Sequence, residues 1–209
     1  MAPSTTVMEV RNSASQAAEN LRATFSRLTI GSGNLRLLVQ LPESDTYQDF
    51  VSVQLLEFYN ILTMIYEVVS YDCTKESCPE MTAGSQHRYL WRDNDKYPQP
   101  TSMPAPDYIY MLFAYVKQQI ERFPTDANES WPSDFDSIVK TCFRRLFRVF
   151  AHLYTKHYET MEHCHIEQSV NSTLKHFLFF VKEYNLINES EFRPIANLCN
   201  DLLQRDTIN

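Results

Sequence analysis

Apolar side chains recur at helical spacing along most of this chain, with one irregular stretch in the middle. Between 47 and 69, the apolar positions Phe50, Val53, Leu56, Ile61, Met64, Ile65 and Val68 mostly keep helical spacing and predict a long helix. Asp45 and Asp49 sit at its opening, where negative charge suits the helix dipole. Pro106 opens a second helix, over 107–122, with Ile109, Leu112, Phe113, Val116 and Ile120 turned inward. After a loop through Pro124 and Pro132, Ser133 or Asp134 caps a long helix reaching the mid-150s. Two more helices fit 171–184 and 189–203.

The remainder is punctuated differently. Residues 70–105 carry Pro79, Pro98, Pro100 and Pro104, and only Tyr89, Leu90 and Trp91 read as a short strand. Residues 18–28 form a short amphipathic piece, and IGSGNLRLLVQLP is a loop or extended stretch ended by Pro42. The pattern predicts an all-α bundle with one irregular insert. A loose segment is expected over 1–20, one folded domain over 21–205 and a short tail over 206–209.

Composition narrows the functional classes. The chain holds three glycines, Gly31, Gly33 and Gly84, in 209 residues. A phosphate-cradling P-loop or dinucleotide fold needs glycines clustered where backbone meets phosphate, and none are clustered that way. With 19 Lys and Arg against 26 Asp and Glu, the net charge is −7, which disfavours general nucleic-acid binding. No apolar run is long enough to span a membrane, and the first twenty residues lack the apolar core of a secretory signal. Five cysteines without a leader read as thiols or metal ligands in a reducing compartment, the cytoplasm and also the nucleus. The sequons at Asn128, Asn171 and Asn188 are then expected to be idle.

Cysteines and histidines carry the first candidate chemistry. Cys73 and Cys78 form C-x4-C in the insert, and His152 and His157 form H-x4-H near the end of the long helix. Both spacings fall in the range of structural zinc sites, where four protein ligands leave no position for water. On a regular helix the two histidines lie roughly 140° apart, so both reach one ion only where the helix bulges or ends between them. The spacing alone more often belongs to ordinary buried thiols and unrelated histidines. A second run, His163, Cys164 and His165, alternates direction on a helix and reads as no site.

Charge is segregated along the chain. Lys140, Arg144, Arg145, Arg148 and Lys156 occur without an acid between 140 and 158. Lys140, Arg144, Arg148 and His152 step by four along one helical face. Converging guanidinium groups suit a dianion such as a phosphoserine or phosphothreonine. From charge alone, a solvated basic face paired with acids from elsewhere is the commoner arrangement. Conversely, Glu43, Asp45, Asp49, Glu57, Glu67 and Asp72 lie between Arg36 and Lys75 with no intervening base. That surface suits a basic partner helix, or is simply a soluble acidic helix.

Taken together, GSGNLR at 31–36, DFVSVQLLEFYN at 49–60, CTKESCPEMTAG at 73–84, YLW at 89–91, APDYI at 105–109, RRLFRVFAHLYTKH at 144–157 and KHFLFFVKEYNLI at 175–187 resemble the Mob (Mps-one-binder) family of kinase coactivators. The resemblance covers 24–203 and implies a Mob-type helical bundle with a zinc-pinned insert and at most a short β-hairpin. It implies a structural zinc on Cys73, Cys78, His152 and His157. It also implies a non-catalytic, monomeric adaptor whose acidic face, here Asp45, Asp49, Phe50 and Glu57, binds the basic N-terminal segment of an NDR/LATS-type kinase. Arg144, Arg145 and Arg148 match the family's phosphothreonine pocket, which takes an upstream Ste20-like kinase in signalling of the Hippo or mitotic-exit type. Thr29 matches a regulatory threonine. The family usually has Trp at Phe50, often Lys at Arg144 and commonly His at Ser169, and its basic, aromatic lead segment is missing before Ala18. Two alternatives are a phosphatase-complex scaffold of the striatin type within the same family and, outside it, a zinc-dependent nucleic-acid module. A zinc hydrolase lacks its H-E-x-x-H signature here.

Overall fold

The computed structural model describes residues 35–126 and 129–204. Thr29, Gly31, Gly33 and the proposed segment boundaries at 20 and 205 lie outside them. Among the described residues, seven α-helices and one two-stranded hairpin follow in order. They are α1 (Leu35–Leu38), α2 (Tyr47–Val69), β1 (Thr82–Ala83), β2 (His87–Arg88), α3 (Ala105–Ile120), α4 (Phe135–Lys156), α5 (Tyr158–His163), α6 (Glu167–Glu183) and α7 (Ala196–Gln204), with a 3-10 helix at Glu189–Ile195 before α7. The mostly helical architecture with a small hairpin agrees with the sequence reading.

Helix α2 begins where Thr46 Oγ1 accepts from the Asp49 amide at 3.2 Å and donates to the Asp49 carboxylate at 2.6 Å. Its buried residues are Phe50, Val51, Gln54, Leu55, Phe58, Ile61, Leu62, Ile65, Val68 and Val69. Val53 and Leu56, apolar positions at helical spacing, are 59% and 43% exposed. At 100° per residue they fall on the side opposite Val51, Leu55 and Leu62, together with Asp49 and Asn60.

Helix α4 runs through the centre and buries Phe135, Ile138, Val139, Cys142, Phe143, Leu146, Phe147, Val149 and Phe150 among others. It meets α6 through an aromatic lattice, with ring centroids 5.4 Å apart for Phe143 and Phe180 and 5.3 Å for Phe150 and Phe177. Phe58 of α2 joins it, 5.2 Å from Phe177. Such offset and edge contacts add to the area the rings bury. Asp134 makes no side-chain cap to α4; its carboxylate pairs with Arg122 at 2.9 Å.

Several boundaries differ from expectation, and α3 spans Ala105–Ile120 rather than 107–122. The turn α1 lies in the stretch read as loop or extended. Helix α6 starts at Glu167, four residues before 171, and the short α5 precedes it. The last predicted helix is 3-10 up to Ile195, because Pro194 has no N–H for an i→i−4 bond. In the insert, Thr82 pairs with Arg88 and Ala83 with His87, the turn passing through Gly84 at φ +66°. Trp91 makes a single antiparallel bridge to Thr101 rather than a strand. Among the described residues no helix is long and apolar enough to cross a membrane.

One partly buried histidine, His176, makes stability pH-dependent. His176 of α6 packs its ring 4.9 Å from Phe58, and its Nε2 is buried without a hydrogen-bond partner. Desolvation holds its pKa down to about 4. The unfolded chain therefore binds the proton first, and the stability His176 confers falls as pH drops from about 6.5 towards 4. Between pH 7 and pH 5 the expected loss is at most about 2 kcal/mol. Urea titrations at both pH values should show that loss shrinking by the same amount in His176→Leu.

Candidate functional site

The end of α2 shapes the first half of a four-residue cluster. The Val69 carbonyl accepts from the Asp72 amide at 3.0 Å and the Cys73 amide at 3.1 Å, turning the chain back beneath the helix. Thr74 and Ser77 then close a tight turn. The Ser77 hydroxyl accepts from the Thr74 amide at 2.9 Å and donates to the Asp72 carbonyl at 2.6 Å. The turn brings Cys78 beside Cys73. The second half comes from the end of α4. That helix stops at Lys156, and His157, at φ −129° and ψ 21°, separates it from α5. This is the break that the H-x4-H spacing required.

Cys73, Cys78, His152 and His157 are all buried, and their candidate ligand atoms all lie within 4.8 Å of one another. Cys73 Sγ is 3.5 Å from His152 Nε2, and Cys78 Sγ is 3.4 Å from His157 Nε2. A tetrahedral zinc with usual bond lengths separates a sulfur from a nitrogen ligand by about 3.6 Å, so the donor set fits one. The outer ring nitrogens are engaged: His152 Nδ1 with the Thr82 carbonyl at 2.8 Å, His157 Nδ1 with the Asp72 carboxylate at 2.9 Å. That leaves Nε2 of each ring as the inward lone-pair donor. Burial lowers His152 to about 4, keeping the imidazole neutral as a metal requires. It raises the Cys73 thiol to about 12, so a thiolate there calls for a cation. These four can hold a metal ion. His163 and His165 are exposed and join no such cluster among the described residues.

The arginine stripe is built on aromatics. The Arg145 guanidinium sits 3.9 Å from the Tyr115 ring centroid and 4.3 Å from that of Trp91, and donates to the Arg92 carbonyl at 3.1 Å. Arg148 lies 5.1 Å over Tyr89 and donates to the Tyr108 hydroxyl at 2.7 Å. Arg145 Nη1, Arg148 Nε and the Tyr89 hydroxyl are buried without partners. Arg144 is exposed and, with Lys140, lines a groove of about 870 Å³ against residues 185–191. None of the three arginines pairs with a carboxylate among the described residues. Sequence offered no signal for the aromatic cradle, because Tyr89, Trp91, Tyr108 and Tyr115 come from two other segments.

The acidic stripe divides. Asp45 and Asp49 are exposed at the start of α2. Glu57 is half-buried, and desolvation raises its carboxyl pKa against a lowering hydrogen bond from Gln54. Phe50 lies beneath the face, packed 5.8 Å from Phe180 and 6.0 Å from Tyr184. Asp72 leaves the stripe altogether and serves the cluster. Val53 and Leu56 supply exposed apolar surface beside Asp49 and Glu57.

Fold and cluster together define a helical domain whose buried Cys2His2 set ties an irregular insert to the end of its central helix. The chain belongs to the Mob1/phocein family, whose model matches residues 27–195. It is 34% identical over 182 residues to the Maintenance of ploidy protein mob1 of Schizosaccharomyces pombe, covering 86% of this chain and 87% of that one. MOB kinase activator-like 1 homolog B of Dictyostelium discoideum is 35% identical over 185 residues, covering 87% of this chain and 86% of that one. MOB kinase activator 3A of Homo sapiens is 38% identical over 168 residues, covering 79% and 77% respectively.

Proposed function

We propose that this chain is a non-catalytic kinase-activating adaptor. Its α2 face binds the basic N-terminal segment of an NDR/LATS-type kinase, and a structural zinc on Cys73, Cys78, His152 and His157 pins the insert. The observation that carries the reading is the solvent side of α2, where Val53 and Leu56 stand exposed between Asp49 and Glu57. Apolar anchors flanked by acids suit an amphipathic basic helix, the acids steering it and the apolar pair burying against it. The kinase-activator names of the relatives support the same reading. Pull-down of NDR/LATS-type N-terminal segments by the purified chain tests it, and absence of capture overturns it. The adaptor acts as a monomer in the cytoplasm and nucleus, with Thr29 as a candidate phosphorylation site.

The second surface takes a phosphothreonine segment of an upstream Ste20-like kinase. Two arginines held on aromatic rings, with spare N–H groups and no carboxylate partner, supply the charge-assisted donors a phosphate dianion needs. Arg145→Ala combined with Arg148→Ala should lower phosphothreonine-peptide affinity by about 100-fold, as charged hydrogen bonds are worth roughly 1.5–3 kcal/mol each. Calorimetry with phosphorylated and plain peptide checks this. Equal affinity of the parent chain for both peptides overturns the pocket.

A further inference from the structure

The two histidines of the cluster are held by unlike partners. His152 Nδ1 meets a neutral peptide carbonyl, that of Thr82. His157 Nδ1 meets a carboxylate oxygen of Asp72, and the Thr160 hydroxyl donates to that same oxygen at 2.7 Å. A carboxylate behind a ligating imidazole fixes the tautomer and orientation of the ring and makes its inner nitrogen a better donor.

The chain holds Asp72 where this role requires it. Its amide donates to the Val69 carbonyl at 3.0 Å, and its carbonyl accepts from Ser77 Oγ at 2.6 Å. The backbone is thus tied on both sides, and two hydrogen bonds hold the half-exposed carboxylate against His157 and Thr160. Thr160 stands in the first turn of α5, past the break at His157. One carboxylate oxygen therefore joins the end of α2, the start of the insert and the helix beyond the break. Such a contact holds His157 at an angle that a continuous α4 could not provide.

We infer that Asp72 is a positioning residue for zinc at this cluster: it holds His157 with Nδ1 protonated and Nε2 aimed at the ion, and Thr160 steadies the carboxylate. The inference rests on the metal reading proposed above. It makes the site asymmetric. The support of His152 is a backbone group, whereas the support of His157 is a side chain and sets the affinity.

The full chain serves for the test, with zinc as the probe and a chromophoric chelator as competitor. The parent chain should bind one zinc ion, and Asp72→Ala should bind it about 10- to 100-fold more weakly. Asp72→Asn should fall between, because its amide oxygen still accepts the ring N–H but carries no charge. Thr160→Val should lose affinity by a few-fold. In ring nitrogen NMR of the zinc-loaded chain, the Nδ1–H signal of His157 should shift in Asp72→Ala while that of His152 stays in place. Parent-like affinity in Asp72→Ala, or equal shifts at both histidines, overturns the inference. A parent chain that binds no zinc overturns the metal reading itself, a result read before any variant is made. Asp72→Asn and Thr160→Val change shape little, so the outcome stays decisive even where the alanine variant folds poorly.

Discussion

Cys78→Ser is expected to lower the melting temperature by roughly 10 °C and to open residues 70–104 to proteolysis, while the helical core stays folded. The insert has little of its own to hold it. Its regular structure is two strands of two residues and one isolated bridge. Besides the two cysteines, its buried apolar residues are Met81, Ala83, Trp91 and Met103. The aromatic lattice of α2, α4 and α6 lies outside it and does not depend on the ion. An ion present at a thousand times its dissociation constant stabilises the native state by about 4 kcal/mol. In a chain of this size each kcal/mol moves the midpoint by about 2–4 °C. A strong chelator should reproduce the drop in the parent chain and add nothing in Cys78→Ser. Unchanged melting and unchanged proteolysis in both would show that the four residues are an ordinary buried cluster.

Glu57→Lys should weaken binding of a basic kinase segment by about 100-fold or more while leaving zinc content and melting unaltered. Glu57 is half-buried, and its desolvated carboxylate is poorly served by water, so a partner cation gains more there than at an exposed acid. Removing one member of such a pair costs about 2–5 kcal/mol, and reversing the charge adds repulsion. Glu57→Gln should show the smaller part of the effect, since only attraction is lost. Calorimetry with the isolated kinase segment, at low and at physiological salt, separates contact from steering. Equal affinity in Glu57→Lys would move the kinase site off this face.

Both variants act on residues that were visible in the sequence, but for partly different reasons than the sequence offered. The bounds of α2 follow from its apolar period, and 47–69 was legible as written. The inward set was less so. Val53 and Leu56 count as core in a list of apolar residues, yet the helix buries the stripe through Val51, Leu55, Leu62 and Ile65 and leaves them in solvent. Periodicity admits either phase where apolar residues surround a helix, and only packing against α3, α4 and α6 chooses. Likewise α5 is too short to show a period, and Asp134 looks like a cap until Arg122 claims its carboxylate.

For the candidate site, the cysteine and histidine spacings and the need for a break near His157 were on the page of residues. The partners of the two imidazoles were not. Asp72 reads as one more acid of a charged stripe until folding sets it against a histidine 85 residues away. The aromatic cradle of Arg145 was hidden in the same way.

What the sequence determined by itself is local: helices and their breaks, an acidic stretch, a basic stretch, and two pairs of ligand residues at workable spacing. Tertiary structure decided which atoms meet. Each of the two candidate sites joins residues separated by dozens of positions, and such contacts follow from how whole helices pack rather than from any short stretch of chain.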